Sequence, residues 1–258
     1  YALDQRWETA LRSYCHKIMV IDDLADRHHE CVLLLDQNLG RQSQDYVGLV
    51  PAHCKVLAGP QYALLRPEFA ALRAYSLQRR QKPALKHVLI TMGGVDQSND
   101  TVKVLRALKG CALPKDLRIS VVMGLRAPWL QQVQAQAQDM PWPTEVLVNI
   151  SDMAQSMADS DLSIGAAGST SWERCCLGLP TLLVVLADNQ RAIAEALQSA
   201  GAARTLDIAS DAPMTCEILR SLVANPRVLH DMSIAASRIV VGLGAACLVS
   251  HLLGFENS

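Results

Sequence analysis

The sequence predicts an α/β chain of parallel sheets covered by helices, on three observations. Short runs rich in Leu, Ile and Val recur along it, and several are apolar without interruption, as parallel strands buried on both faces are. Stretches of helical periodicity lie between those runs. Glycines and prolines punctuate the junctions. Repeated strand–helix alternation is the pattern of doubly wound sheets.

Strands are expected at 17–21, 31–35, 55–58, 88–92, 117–122, 145–148, 162–164 and 182–185. Helices are expected at 99–109, 128–138, 153–159, 170–177 and 190–200. Pro128 falls in the first turn of its helix, where a missing N–H costs nothing. Gly178 and Gly201 follow helix ends, at positions suited to positive φ. Pro180 opens the strand after Gly178. The stretch 79–86, RRQKPALK, is basic, contains a proline and reads as an interdomain linker. Residues 87–210 then hold five strands with crossover helices, a nearly complete Rossmann-like domain. The expected domains are 1–80, with only three strands and therefore incomplete, and 86–258, ending in helices.

Composition narrows the function. Of 258 residues, half are hydrophobic and 19% charged, which suits a globular chain. Lys and Arg number 24 against 25 Asp and Glu, so no basic surface for nucleic acid or an anionic membrane is expected. No uninterrupted apolar run reaches the ~18 residues of a membrane span, and no signal-peptide pattern is visible. The chain opens on Tyr1 within a helical pattern, as a processed product or a fragment would. The eight cysteines are scattered without Cys-x-x-Cys spacing, so they read as small buried hydrophobes in a reducing cytoplasm. No metal and no cofactor are expected, and a monomer is.

Three turns could carry chemistry. Ile164-Gly-Ala-Ala-Gly-Ser-Thr-Ser-Trp-Glu173 runs from a strand through small residues into a helix. Helix N-termini present unpaired N–H groups to anions. Gly168 lets a phosphate approach the backbone, Ser169 and Thr170 add hydroxyls, and Glu173 could accept from a ribose diol. The alternative is a tight turn capped by Ser169, and the local sequence leaves the two even. Met92-Gly93-Gly94-Val-Asp96 ends another strand, facing a ligand crevice if the sheet is doubly wound. Asn99 begins the next helix there, and the plain alternative is a turn with Asp96 or Ser98 as cap. In Ala187-Asp-Asn189-Gln190 the amides suit hydroxyls and phosphates, or the segment simply caps a helix. The seven histidines lack a catalytic signature, and His28-His29 read as surface or loop residues. Asp22-Asp23 follow a strand, as a turn or as carboxylates serving a substrate.

Taken together, Asp22-Asp-Leu-Ala-Asp-Arg-His28, Leu33-Leu-Leu-Asp-Gln-Asn38, Asp45-Tyr46, Gly59-Pro-Gln-Tyr-Ala-Leu-Leu-Arg66 with Glu68-Phe69, Met92 to Asp96 with Asn99, and Ala167 to Glu173 resemble one family. It is the UDP-sugar hydrolases of the pseudaminic acid pathway, which cleave UDP-2,4-diacetamido-2,4,6-trideoxy-β-L-altropyranose to free sugar and UDP. The later part also resembles the nucleotide-sugar half of the lipid II N-acetylglucosaminyltransferase, a GT-B enzyme. The resemblance implies a GT-B-like fold of two Rossmann-like domains, with UDP and a UDP-sugar as partners. Glu173 would bind the ribose hydroxyls, and Gly168, Ser169 and Thr170 the diphosphate. Ile150 and Met153 would flank uracil. Arg66, Asn99 and Gln190 would contact substrate, and Tyr1 the sugar. The family's general base is a histidine in a Gly-x-Gly-His loop, and no such loop occurs here. The chain is therefore expected to be a fragment that binds UDP and turns over weakly. A GT-B transferase and a non-catalytic UDP-sugar-binding module are the alternatives.

Overall fold

The computed structural model describes residues 3–208 and 212–256. The chain divides into two compact units, Tyr1–Leu65 with Val241–Ser258, and Arg66–Val240.

In the first unit, helix α1 (Gln5–Leu11) precedes three parallel strands, β1 (Met19–Ile21), β2 (Leu33–Asp36) and β3 (Lys55–Ala58), in spatial order β1-β2-β3. Register is set by Leu33 opposite both Met19 and Lys55. The central strand is buried along its whole length, which explains its unbroken Leu-Leu-Leu. The two carboxylates at the strand ends, Asp22 and Asp36, are buried too. The Tyr46 hydroxyl lies 2.9 Å from Asp22 and 2.8 Å from Asp36. Asp22 also accepts from the Leu24 and Ala25 amides and pairs with Arg27, while Asp36 pairs with Arg41. Asp22 is thus consumed in shaping the loop after β1, the turn reading of Asp22-Asp23. His28 is exposed as expected, but His29 is 2% exposed with Nδ1 2.7 Å from the buried Glu8. Burial of both partners, unreadable from adjacent histidines alone, corrects that expectation.

The second unit begins with α2 (Pro67–Arg79) and continues as β4 (His87–Thr91), α3 (Asp100–Lys109), β5 (Arg118–Met123), α4 (Leu130–Gln138), β6 (Thr144–Val148), α5 (Met153–Ala158), β7 (Leu162–Ala166), α6 (Thr170–Cys176), β8 (Thr181–Val184), α7 (Arg191–Ser199) and β9 (Ala203–Leu206). Helices α8 (Ala212–Ala224) and α9 (Arg227–Ile239) close it. All six strands are parallel, in the order β6-β5-β4-β7-β8-β9. Val88, Ile90, Ile119, Val121, Leu162, Ile164 and Leu182 form the sheet's share of one continuous core. The sixth strand, β9, was not expected.

The presumed linker 79–86 lies inside this unit. Arg80 is 5% exposed, and its guanidinium donates to the carbonyls of Leu177 (3.1 Å), Ser160 (2.7 Å) and Met157 (3.1 Å). The basic run is therefore tied to the domain, and the division between units falls at Arg66 instead. Gly178 and Gly201 do adopt positive φ, 58° and 72°. Cys111, just beyond α3, and Cys216 in α8 form a disulfide, which overturns the free-thiol reading for that pair. Cys15, Cys31, Cys54, Cys175, Cys176 and Cys247 are thiols.

The chain then returns to the first unit as α10 (Gly244–Glu256). Gly244 meets the Tyr62–Ala63 backbone so closely that no Cβ fits there. By length and composition Arg227–Gly254 is long and apolar enough to cross a membrane, with an 18-residue window of mean hydropathy 1.9. It is not one helix: Val240 is extended (φ −131°, ψ 131°) and Gly242 takes φ 88°, separating α9 from α10.

Candidate functional site

The site is built by chain topology. From β4 the chain winds outward through β5 and β6, then crosses back to the other side of β4 to form β7, β8 and β9. Winding reverses between β4 and β7. The two strands stay paired to Thr91 and Gly165, and the chain leaves their carboxyl ends in opposite winding directions, the place where open α/β sheets form a ligand crevice. Met92-Gly93-Gly94 leaves β4 and Ala167-Gly168-Ser169-Thr170 leaves β7, so the two glycine turns flank this one crevice.

Two of the glycines in these turns are not required by the fold. Gly94 and Gly168 lie outside the positive-φ region, and a Cβ on either would meet nothing within 4 Å. Gly93 differs, with φ 87°. Gly124, after β5, is needed for packing, because a Cβ there would strike the Gly94 carbonyl.

The Gly168–Thr170 turn enters α6 without a side-chain cap. Ser169 has helical dihedrals and its hydroxyl makes no capping bond, so the alternative of a turn capped by Ser169 lacks its cap. The Ser171 and Trp172 N–H groups bond the Gly168 (2.9 Å) and Ser169 (3.1 Å) carbonyls, so an N–H open to an outside partner lies earlier in the turn. Glu173, one turn along, is half-buried, and its carboxylate makes no hydrogen bond among the described residues. Burial raises its pKa above the usual glutamate value, against the pull of Arg66 and Arg174 and with the push of Glu68. Arg174 is 1% exposed. Its Nη2 donates to the Ala166 carbonyl (2.6 Å) and the Ser171 hydroxyl (3.0 Å). Burial lowers this guanidinium to about 10, which leaves it charged at neutral pH.

Asn99 is left-handed (φ 54°) at the start of α3. Its Nδ2 donates to Gln132 (2.9 Å), and its Oδ1 is buried without a partner. The cap of α3 is Asp96, which accepts from the Asp100 (2.8 Å) and Thr101 (3.0 Å) amides. Ile150 and Met153 are half-buried at the end of β6 and the start of α5. Arg66 opens α2, paired with Glu68 (3.1 Å) and lying 5.3 Å from the Phe69 ring centre. Gln190 is occupied locally, its Oε1 accepting from the Leu186 amide (3.0 Å), while Asn189 is exposed beside it. Tyr1 lies outside the described residues. Arg174 was missed by sequence reasoning. Its position directly after Glu173 is the only signal, and a basic residue there reads as a favourable surface charge.

Among the described residues no group of three or more His, Cys, Asp or Glu could hold a metal ion.

Residues 87–238 match the glycosyltransferase family 28 C-terminal domain. The spore coat polysaccharide biosynthesis protein SpsG of Bacillus subtilis is 30% identical over 165 residues, covering 64% of this chain and 47% of that protein. The UDP-2,4-diacetamido-2,4,6-trideoxy-beta-L-altropyranose hydrolase of Campylobacter jejuni is 29% identical over 185 residues, 72% of this chain and 63% of the enzyme. The chain thus spans about half to two thirds of the length of these relatives. Among solved structures, MurG of Acinetobacter baumannii superposes with a TM-score of 0.68 at 20% identity, covering 97% of this chain and 70% of that one. S. aureus MnaA bound to UDP gives 0.61 at 14% identity, covering 88% and 61%. These neighbours establish the expected α/β, GT-B-like fold.

Proposed function

The chain belongs to the glycosyltransferase family 28 C-terminal domain family, a nucleotide-sugar family of GT-B fold, and from that premise we propose that it binds UDP and a UDP-sugar at the β4/β7 crevice. The observation that carries this reading is the pair Gly94 and Gly168. Both are glycines with ordinary backbones and open space where a side chain would stand. That space suits a diphosphate lying against the backbone amides of the two turns. Glu173 then accepts from the ribose hydroxyls, and Ile150 and Met153 border the base.

The reaction we favour is hydrolysis at the anomeric carbon. Water adds to C1, the bond from C1 to the β-phosphate oxygen breaks, and UDP leaves. The water's proton passes to bulk water, because the base that the resemblance assigns belongs to a Gly-x-Gly-His loop that this sequence does not contain. This chain's own contribution is to hold the nucleotide and stabilise charge developing on the leaving diphosphate, where one well-aimed donor is worth ~3 kcal/mol. Support comes from the likeness to the Campylobacter hydrolase. That alignment is longer than the family-matched stretch 87–238 and therefore reaches residues beyond it. Sugar transfer to an acceptor is the second reading, favoured by the family match itself. UDP release from the altrose derivative without any acceptor supports hydrolysis, and release only with an acceptor supports transfer. UDP binding without release from any UDP-sugar leaves a binding module.

A further inference from the structure

Two arginines of the second unit are buried, and they are treated differently by their surroundings. Arg80 has Nε, Nη1 and Nη2 each bonded to a main-chain carbonyl. Arg174 is bonded through Nη2 alone, while its Nε and Nη1 are buried without a partner. No carboxylate pairs with it among the described residues. The cavity beside it, lined in part by Ser171, Cys175 and Thr181, measures about 10 Å³, at the lower limit for a single water. The half-buried Glu173 carboxylate acts on it through space without bonding it, and a buried cation with no bonded counter-ion is costly.

The fold nevertheless makes room for this charge. A Cβ on Gly165 in β7 would collide with Nη1 and lie 2.6 Å from the Thr91 carbonyl. The guanidinium therefore lies across the last residues of β7, beside the end of β4. Its two bonds go to Ala166, two residues before Gly168, and to Ser171, directly after the turn. It thus brackets the Gly168–Thr170 turn from behind.

We propose that Arg174 is a positioning residue for the diphosphate of a nucleotide ligand: it fixes the turn through Ala166 and Ser171, and its buried charge is balanced when the anion occupies the crevice. The assignment rests on the UDP reading above. It adds that preference for UDP over uridine comes in part from a side chain that never touches the ligand. Low local dielectric lets the charge act across the turn.

Calorimetric titration of the whole chain with uridine, UMP and UDP tests this, comparing wild type with Arg174→Met and Arg174→Lys. Arg174→Met should lose about tenfold in UDP affinity, with UMP intermediate and uridine unchanged. Arg174→Lys, which keeps the charge and loses the fork, should retain the UDP-over-uridine preference to within about threefold. An equal loss for uridine and UDP in Arg174→Met means a merely structural role and overturns the proposal, as does no loss. Should Arg174→Met fail to fold, the lysine variant decides: a preference gone despite the retained charge overturns it. Wild type that binds none of the three ligands overturns the UDP reading itself, an outcome distinct from any variant's.

Discussion

Gly124 packs directly against Gly94, joining the loop after β5 to the loop after β4 with no space for a methyl between them. Gly124→Ala should therefore push the Met92–Gly94 turn out of place. A cost of about 1–3 kcal/mol is expected, read as a lower urea midpoint, together with weaker UDP binding.

Gly168→Ala should separate folding from binding. Its Cβ enters open space and its backbone is ordinary, so the free protein should melt within about 1 kcal/mol of wild type. UDP affinity should fall, because the methyl occupies the volume assigned to the diphosphate. Unchanged UDP affinity would show that the open space at Gly168 is not a ligand site.

Glu173→Ala should reduce the thermal shift given by UDP. A ligand at 100 times its dissociation constant stabilises by ~2.7 kcal/mol. For a chain of this size that is about 5–10 °C. The variant removes the acceptor for two ribose hydroxyls, so its shift should shrink while its unliganded melting point holds.

The same carboxyl predicts a pH dependence that uridine, with no phosphate to titrate, can report cleanly. Burial raises the pKa of Glu173 above the ordinary glutamate value. The ionised form is the better acceptor, so uridine affinity should be highest above that raised pKa. It should fall as pH drops through that raised pKa, earlier than for an exposed glutamate. Glu173→Gln should flatten the acid limb. An acid limb that persists in Glu173→Gln would belong to another group.

Reduction should destabilise the second unit. The Cys111–Cys216 bond closes a separation of 105 residues, for which chain entropy alone suggests about 4.7 kcal/mol. Dithiothreitol, or Cys216→Ser, should lower the melting temperature by several degrees. No change would mean that the two thiols contribute no more than their packing.

What the sequence revealed follows from what burial does to composition. Strands β5, β4, β7 and β8 lie inside the sheet and are buried almost throughout, and their residues announce it; β6, an edge strand, was legible through its Val-Leu-Val. β9 is an edge strand reading Ala-Arg-Thr-Leu, half-exposed at Arg204 and Thr205, so its polar residues hid it. Basic residues ordinarily signal solvent, which is why 79–86 read as a linker while Arg80 lay buried on three carbonyls. The pairings Glu8–His29 and Cys111–Cys216 join residues distant in sequence, and no local pattern encodes them. The glycine turns were legible as candidates. Only the strand order put them at one sheet position, and only the empty volume at Gly94 and Gly168 favours the ligand reading over plain tight turns.

The first unit is discontinuous, with Val241–Ser258 returning to join Tyr1–Leu65 after the whole of the second unit has intervened. During synthesis, this sets an order. The ribosome delivers Arg66–Val240 as one uninterrupted stretch, so the second unit has all its own strands and helices while the first unit still waits for α10. Domains fold as they emerge. The unit that carries the candidate site can therefore mature first, and residues 1–65, made before it, find their final partners after it.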